Sequence, residues 1–401
     1  MDLEYSPEYR EFRDEVRTFL DEHKHKAPNQ KPEIPGQPNS AKEWQQLLIE
    51  NGYAARTIPR EYGGYGAEPD ILKTRIIAEE FARARVPPGH SGDNRLVPTV
   101  LELGTEEQKQ WLVPPSVRGE MSWCQGYSEP GSGSDLASLS TKAELDGDEW
   151  VINGQKIWTS GAQNADMMFC LVRTEPDAPK HNGISYLVFS MDTPGIDVRP
   201  LVTMTGDAFF NEVFFTDARV PANQIIGKRG EGWFVANTTL RYERGGLGDP
   251  NEAENRFNRI VDIMQRETVG GERLIDNPIY RDRLLKLQGQ ILAMKFNGMR
   301  VLSHNIKGEE PGLPRWIVKL NGCELNHQMA GLAIDVLGEL GLLYDGSPYL
   351  RDGGFWQARY MLDLGLIIGG GTAQIQKNMI GERALGLPKE PKVDEAKAQA
   401  A

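Results

Sequence analysis

The chain has 401 residues, 39% hydrophobic and 25% charged, enough apolar material for two or three domains and too much for a disordered chain. Lysines and arginines number 45 against 57 aspartates and glutamates, a net charge of −12. That balance argues against nucleic acid or an anionic membrane as partner, since both require a basic footprint; an anionic small ligand stays compatible through local basic residues. The start, Met1-Asp2-Leu3-Glu4, is acidic where a secretory signal is basic, and no apolar run follows it. The most apolar stretch, residues 329–343, is broken by Asp335 and Glu339 and is too short to span a bilayer. Cys124, Cys170 and Cys323 are odd in number, far apart and form no CxxC pair. They predict reduced thiols in a cytoplasmic protein, with neither a disulfide framework nor a zinc site.

The first third is punctuated like a helical domain. Ser6-Pro7 predicts an N-cap and first-turn proline, followed by Phe12, Val16, Phe19 and Leu20 at helical spacing. A second helix is expected to end at Gly52, and another to run from Ile71 to Ala84. Thr105 and Gln108 fit a capping box ahead of Trp111 and Leu112. After Met121 the texture changes. Residues 142–156 alternate polar and apolar around Asp146-Gly147 and Asn153-Gly154, both hairpin-turn signals. Short β-rich runs follow at 168–172, 184–189 and 213–216. From Gly232 the helical period returns, with long segments at 277–307 and 315–343 suited to a bundle. Gly369-Gly370-Gly371 predicts a loop between two last helices within 352–387. The expected division is an N-terminal helical domain (1–120), a middle β domain (121–228), a C-terminal four-helix bundle (229–388) and a charged, alanine-rich tail (389–401), an α+β protein.

Several signatures are missing: GxGxxG after a strand, a Walker A sequence, a GxSxG elbow and HExxH. Gly131-Ser132-Gly133-Ser134 fails the dinucleotide fingerprint because Leu136 stands where a third glycine belongs. His23 and His25, alternating with lysines, read as a solvated face and not a metal site. Any redox cofactor is therefore held by something other than a Rossmann fold.

Two segments carry the chemical signal. Gln125 to Asp135 reads QGYSEPGSGSD, and Asn153 to Gly161 reads NGQKIWTSG. On spacing alone the first is a turn-rich loop with hydroxyls and free backbone N–H groups, which can contact phosphate or a heterocycle or merely connect strands. Together they resemble the acyl-CoA dehydrogenase family, whose signatures are a TEPGxGSD-like loop and a hairpin ending in NGxKxWITN. The likeness extends over nearly the whole chain: the α-β-α order, the Arg219-Val220-Pro221 step and the GTAQIQ at Gly371 to Gln376. It implies bound FAD and an acyl-CoA substrate. Tyr127 and Ser128 match positions whose backbone and hydroxyl contact the flavin edge. Trp158 matches the tryptophan beside the isoalloxazine, and Thr159 and Ser160 the positions bonding its polar edge. Ser134 corresponds to a residue near the pantetheine and pyrophosphate, and Thr372 and Gln374 to FAD contacts after the C-terminal loop.

The family reaction takes an α-proton with a carboxylate base while the β-hydride passes to flavin. In most of the family that glutamate precedes the Gly-Thr of the C-terminal loop, where this chain has Gly370. The family's isovaleryl- and long-chain-like branches place the glutamate on the first helix of the C-terminal domain, just before an arginine. Arg241-Tyr242-Glu243-Arg244 stands there, so Glu243 is the candidate base and Arg244 a candidate contact for the CoA end. A solvated charge run is the competing account of those four residues. The resemblance also puts the Gly370 N–H where the family polarises the thioester carbonyl, an oxyanion-hole function that needs no side chain. Three successive glycines leave room for a bulky or branched acyl group.

Contacts that ordinary homotetrameric members lend to a neighbouring subunit's FAD are eroded. The Arg-x-x-Phe-Gly motif is absent from Glu272 to Leu284 (ERLIDNPIYRDRL). Where a glutamine-x-His-Gly-Gly-like motif belongs, the chain has Asp335-Val336-Leu337-Gly338-Glu339, with carboxylates where a pyrophosphate should lie. This resembles the heteromeric branch found in bacterial steroid side-chain degradation and implies a heterotetramer with a homologous second subunit. An electron-transfer flavoprotein is the expected electron acceptor. An acyl-CoA oxidase and a non-catalytic partner subunit are the alternatives.

Overall fold

A computed structural model of the chain describes residues 5–28, 40–243, 250–310 and 312–389. The tail beyond 389, the acidic start and Arg244 lie outside the described residues. Packing divides the structure into two units. The first runs to Glu243 except for residues 204–206, which belong to the second.

The first unit begins with five helices: α1 (Pro7–His23), α2 (Ser40–Glu50), α3 (Ile71–Ala84), α4 (Leu96–Leu103) and α5 (Glu106–Val117). Pro7 opens α1 as expected, but the Ser6 side chain makes no capping bond. Its backbone turns into the helix without the hydroxyl reaching an N–H. The capping box of α5 is present, with Thr105 Oγ1 accepting from the Gln108 N–H and Gln108 Oε1 accepting from the Thr105 N–H. The Gln108 amide also donates to the carbonyls of Asn223 and Ile225, tying the helix start to the β region.

Seven strands follow in one sheet: β1 (Trp123–Gly126), β2 (Lys142–Asp146), β3 (Glu149–Ser160), β4 (Met167–Arg173), β5 (Ile184–Ser190), β6 (Ile196–Leu201) and β7 (Phe210–Pro221). The order is β1-β4-β2-β3-β7-β6, with β5 also pairing β4. Both faces are covered, and the two-residue period shows it. Met167, Phe169 and Leu171 join a core with the N-terminal helices, while Met168, Cys170 and Val172 join a second core on the opposite face. Asp146-Gly147 makes the expected hairpin between β2 and β3. Asn153-Gly154 does not turn the chain. It lies inside β3, where pairing with β7 slips between Ile152 and Gly154. Gly154 has φ +147°, and a Cβ there would come within 2.7 Å of the Thr141 backbone. The glycine serves a bulge and a close backbone approach, the other use of glycine in a strand.

Helix α6 (Gly232–Glu243) closes the first unit, packed on α4 and β5. The second unit is a bundle of α7 (Pro250–Arg266), α8 (Pro278–Ile306), α9 (Leu313–Leu337) and α10 (Phe355–Ile368), with short α11 (Ala373–Met379) after the glycine loop. Its core is built from residues such as Ile260, Met264, Met329, Ala333 and Trp356. The stretch expected to be helical to residue 343 leaves the α-helix at Leu337, because Gly338 takes φ +55°. Asp335 is not a bare carboxylate: Arg283 pairs with it at 2.7 Å, which offsets part of the repulsion expected from its charge.

Candidate active site

The loop after β1 and the end of β3 are joined by a buried ion pair that the sequence reading did not single out. Lys156 Nζ lies 2.7 Å from Glu129 Oε1, and the two side chains are 0% and 5% exposed. Glu129 also accepts from the backbone N–H groups of Ser140 and Thr141 and from the Ser140 hydroxyl. Lys156 donates a second bond to the Tyr127 carbonyl. Burial pushes the Glu129 carboxyl up, but the Lys156 ammonium and these donors outweigh it and hold the group down at about 2. One signal for this was present in the sequence. Lys156 falls in step with Trp150 and Ile152, the inward positions of β3, where a charge needs a partner.

This clamp presents the flavin-edge candidates. The Tyr127 side chain points into the core, edge-on to Phe169 and Tyr186 at 6.0 and 6.3 Å, so only its backbone is left to meet a ligand. Ser128 is half-buried; its carbonyl accepts from the Ile157 N–H, and its hydroxyl has no partner among the described residues. Trp158 sits in a second slip of the β3–β7 pairing, between Lys156 and Thr159, with φ +59° and 58% of its surface exposed. A left-handed backbone at a bulky residue costs roughly 1–2 kcal/mol. Here that cost accompanies an indole held out of the core, edge-on to Phe210 at 5.9 Å. Thr159 is fully buried, yet its Oγ1 has no partner among the described residues. Ser160 is half-buried opposite Phe210. An exposed flat wall beside orphaned or free hydroxyls fits a planar heterocycle with a polar edge.

Ser134 is exposed in the preceding loop. The loop is shaped by Ser132 Oγ donating to the Asp135 and Leu136 carbonyls and by the Lys180–Asp135 ion pair. At Gly131 and Gly133 a Cβ would meet nothing within 4 Å, so one side of this loop is open.

Glu243 is the last residue of α6 and half-buried. Its neighbours in the RYER run turn elsewhere: Arg241 and Tyr242 both bond Glu102, at 2.5 and 2.9 Å. Glu243 is instead approached by the Gln125 amide, Nε2 to Oε2 3.5 Å, the long limit of a hydrogen bond. Gln125 is oriented from behind. Its Oε1 accepts from Arg95 Nη1 at 3.0 Å, which leaves its NH2 facing the carboxylate. Arg95 is held by Asp93 at 2.6 Å and lies over the Phe169 ring. Arg241, Tyr242 and Glu243 are therefore not a uniform solvated run.

In the second unit, Gly370 and Gly371 take φ +65° and +100°, conformations that glycine alone adopts without strain. Thr372 caps α11, its hydroxyl accepting from the Ile375 N–H at 3.2 Å, and Gln374 is exposed. Two further residues not anticipated from sequence reach the loop. Lys319 donates to the carbonyls of Ile367 and Gly371, and Gln376 to that of Gly370.

Among the described residues no group of His, Cys, Asp and Glu could hold a metal ion, and no helix is long and apolar enough to cross a membrane. All three cysteines are buried and free; burial pushes the Cys170 thiol up to about 12 and Cys124 higher still, so neither is a reactive thiolate.

Comparison with known proteins agrees with this architecture. The chain matches the models for the acyl-CoA dehydrogenase N-terminal domain over residues 6–120, the middle domain over 124–218 and the C-terminal domain over 230–385. It is 39% identical over 355 residues to the acyl-CoA dehydrogenase IpdE1 of Mycobacterium tuberculosis, covering 87% of this chain and 88% of that protein. Among solved structures it is similar to the Tcur3481-Tcur3483 steroid ACAD, with 28% identity and TM-score 0.80 over 97% of this chain and 100% of the other. It is also similar to the ChsE4-ChsE5 complex from Mycobacterium tuberculosis, with 31% identity, TM-score 0.79 and coverage of 97% and 100%. Helical, β and helical parts in that order, three family models end to end and a relative close to two-fifths identical make this chain a member of the acyl-CoA dehydrogenase family, whose enzymes are FAD-dependent oxidoreductases.

Proposed function

We propose that this chain dehydrogenates a bulky acyl-CoA thioester of the steroid side-chain type, within a complex containing a homologous second subunit. The observation that carries the reading is the paired departure at the base: glycine at residue 370, and a half-buried Glu243 oriented by Gln125 and Arg95. Glu243 takes the α-proton, and the Gly370 N–H receives the charge that develops on the thioester oxygen. FAD, when bound, supplies the acceptor for the β-hydride. Ser128, Thr159, Ser160, Thr372 and Gln374 would bond it, and Trp158 would wall it. Ser134 and Arg244 contact the CoA portion, and an electron-transfer flavoprotein takes the electrons onward. The steroid ACAD and the two-protein complex among the similar structures support the substrate class and the partner. Three unpaired, buried cysteines suit a cytoplasmic location.

The test is co-expression with a neighbouring homologue, then flavin absorbance and turnover of an acyl-CoA panel with an artificial acceptor. The complex is expected to carry flavin and to prefer branched or ring-bearing acyl groups over short linear ones. A fully flavinylated, active homotetramer from this chain alone would sink the partner assignment.

Trp158→Ala separates ligand holding from folding. The side chain is exposed and on a strained backbone, so stability should move by no more than about 0.5 kcal/mol. Flavin retained through gel filtration is expected to fall by about half or more. Unchanged retention would show that the indole does not hold the ring.

A further inference from the structure

Three consecutive glycines at 369–371 would be expected to make a loose loop, since glycine has the most backbone freedom to lose. The structure holds this loop by two side chains from different helices. Lys319, on α9, is 5% exposed and places its ammonium 3.0 Å from the Ile367 carbonyl and 2.6 Å from the Gly371 carbonyl. It makes no ion pair among the described residues. Its charge is met by the carbonyl end of α10, where last-turn oxygens lack intrahelical partners and the helix dipole is negative. Gln376, on α11 and 3% exposed, donates from Nε2 to the Gly370 carbonyl at 3.2 Å. A Cβ at Gly371 would approach that Nε2 to 2.9 Å, so the glycine is also what lets Gln376 lie against the loop.

We propose that Lys319 is a positioning residue for the reaction: with Gln376 it anchors the glycine loop so that its backbone N–H groups are preorganised for the thioester oxygen. In a trans peptide the C=O and the following N–H point in opposite directions. Turning the Gly370 and Gly371 carbonyls onto Gln376 and Lys319 therefore turns the Gly371 and Thr372 N–H groups the other way, and the peptide that carries the Gly370 N–H is held between the Gly369 N–H, bonded to the Gly365 carbonyl, and the Gly370 carbonyl, bonded to Gln376. Preorganised donors act without reorganisation at the moment charge develops, which a free triglycine could not provide. A buried cation behind the same loop adds a favourable field for that charge.

The inference rests on the reading that the Gly370 N–H faces the thioester, and its test separates the two. In the flavin-loaded complex with the partner subunit, Lys319→Met is compared with Lys319→Arg and the parent. The readouts are amide hydrogen exchange of residues 368–373 and the affinities of octanoyl-CoA and 3-oxooctanoyl-CoA, whose enolate resembles the charged intermediate. Lys319→Met is expected to speed exchange in that segment about tenfold or more. It should weaken the 3-oxo ester about tenfold and the saturated ester less than threefold, and lower kcat with little change in KM. Lys319→Arg should recover part of the protection. Unchanged exchange overturns the role of Lys319. Faster exchange with no discrimination between the esters keeps the anchor and overturns the Gly370 reading. If Lys319→Met fails to assemble, Gln376→Leu carries the same comparison, and unchanged exchange there overturns the clamp.

Discussion

Glu243→Gln is expected to bind flavin and acyl-CoA like the parent while kcat falls about 10³-fold, within the range that a positioned general base contributes. The amide keeps the size of the side chain and its contact with Gln125 but cannot take the α-proton. Steady-state turnover with an artificial acceptor, together with substrate-induced loss of flavin absorbance, reads both halves of the result. Arg95→Met is expected to cause a smaller loss, about tenfold, because it frees the Gln125 amide to flip and leaves the base present but poorly oriented. If Glu243→Gln kept kcat within tenfold of the parent, the chain would be the subunit that lends contacts, and the base would lie on its partner.

Breaking the Glu129–Lys156 pair is expected to be the most damaging single change for folding. Glu129→Gln leaves a fully buried ammonium without its counter-charge, at a cost of about 3–5 kcal/mol. For a unit of this size that lowers Tm by roughly 10 °C in thermal unfolding followed by circular dichroism. Lys156→Met costs less, because Glu129 still accepts from Ser140 and Thr141. The double variant should be better than the sum of the two single losses, since no lone charge remains. The pH dependence has a definite sign. Glu129 is held at about 2 in the fold against an ordinary 4.5. Its contribution is therefore full above about pH 5 and is lost as pH falls toward 2. In Lys156→Met this pH dependence should be much smaller, because without the ammonium burial returns the folded carboxyl toward or above its ordinary value. Equal acid profiles for parent and Lys156→Met would show that the pair does not anchor the loop.

The division between sequence and tertiary structure follows the range of the interactions. Helix periods, the Thr105–Gln108 capping box, the α3 span of Ile71–Ala84 and the glycine break before α11 were legible because each is set by residues within a turn or two of one another. The family resemblance was legible for the same reason, being carried by short runs such as Gln125 to Asp135 and Asn153 to Gly161. Asn153-Gly154 misled because the same dipeptide suits a hairpin turn and a bulge, and only the approach of Thr141 decides between them. The supports of the site were decided by folding alone. Lys156 meets Glu129 across 27 residues, Lys319 meets Gly371 across 52, and Gln125 meets Glu243 across 118. A local pattern can show which residue types could carry the chemistry. Which carboxylate is buried against an ammonium, and which carbonyl receives a lysine, depends on packing between elements distant in the chain, and desolvation gives those pairings their strength.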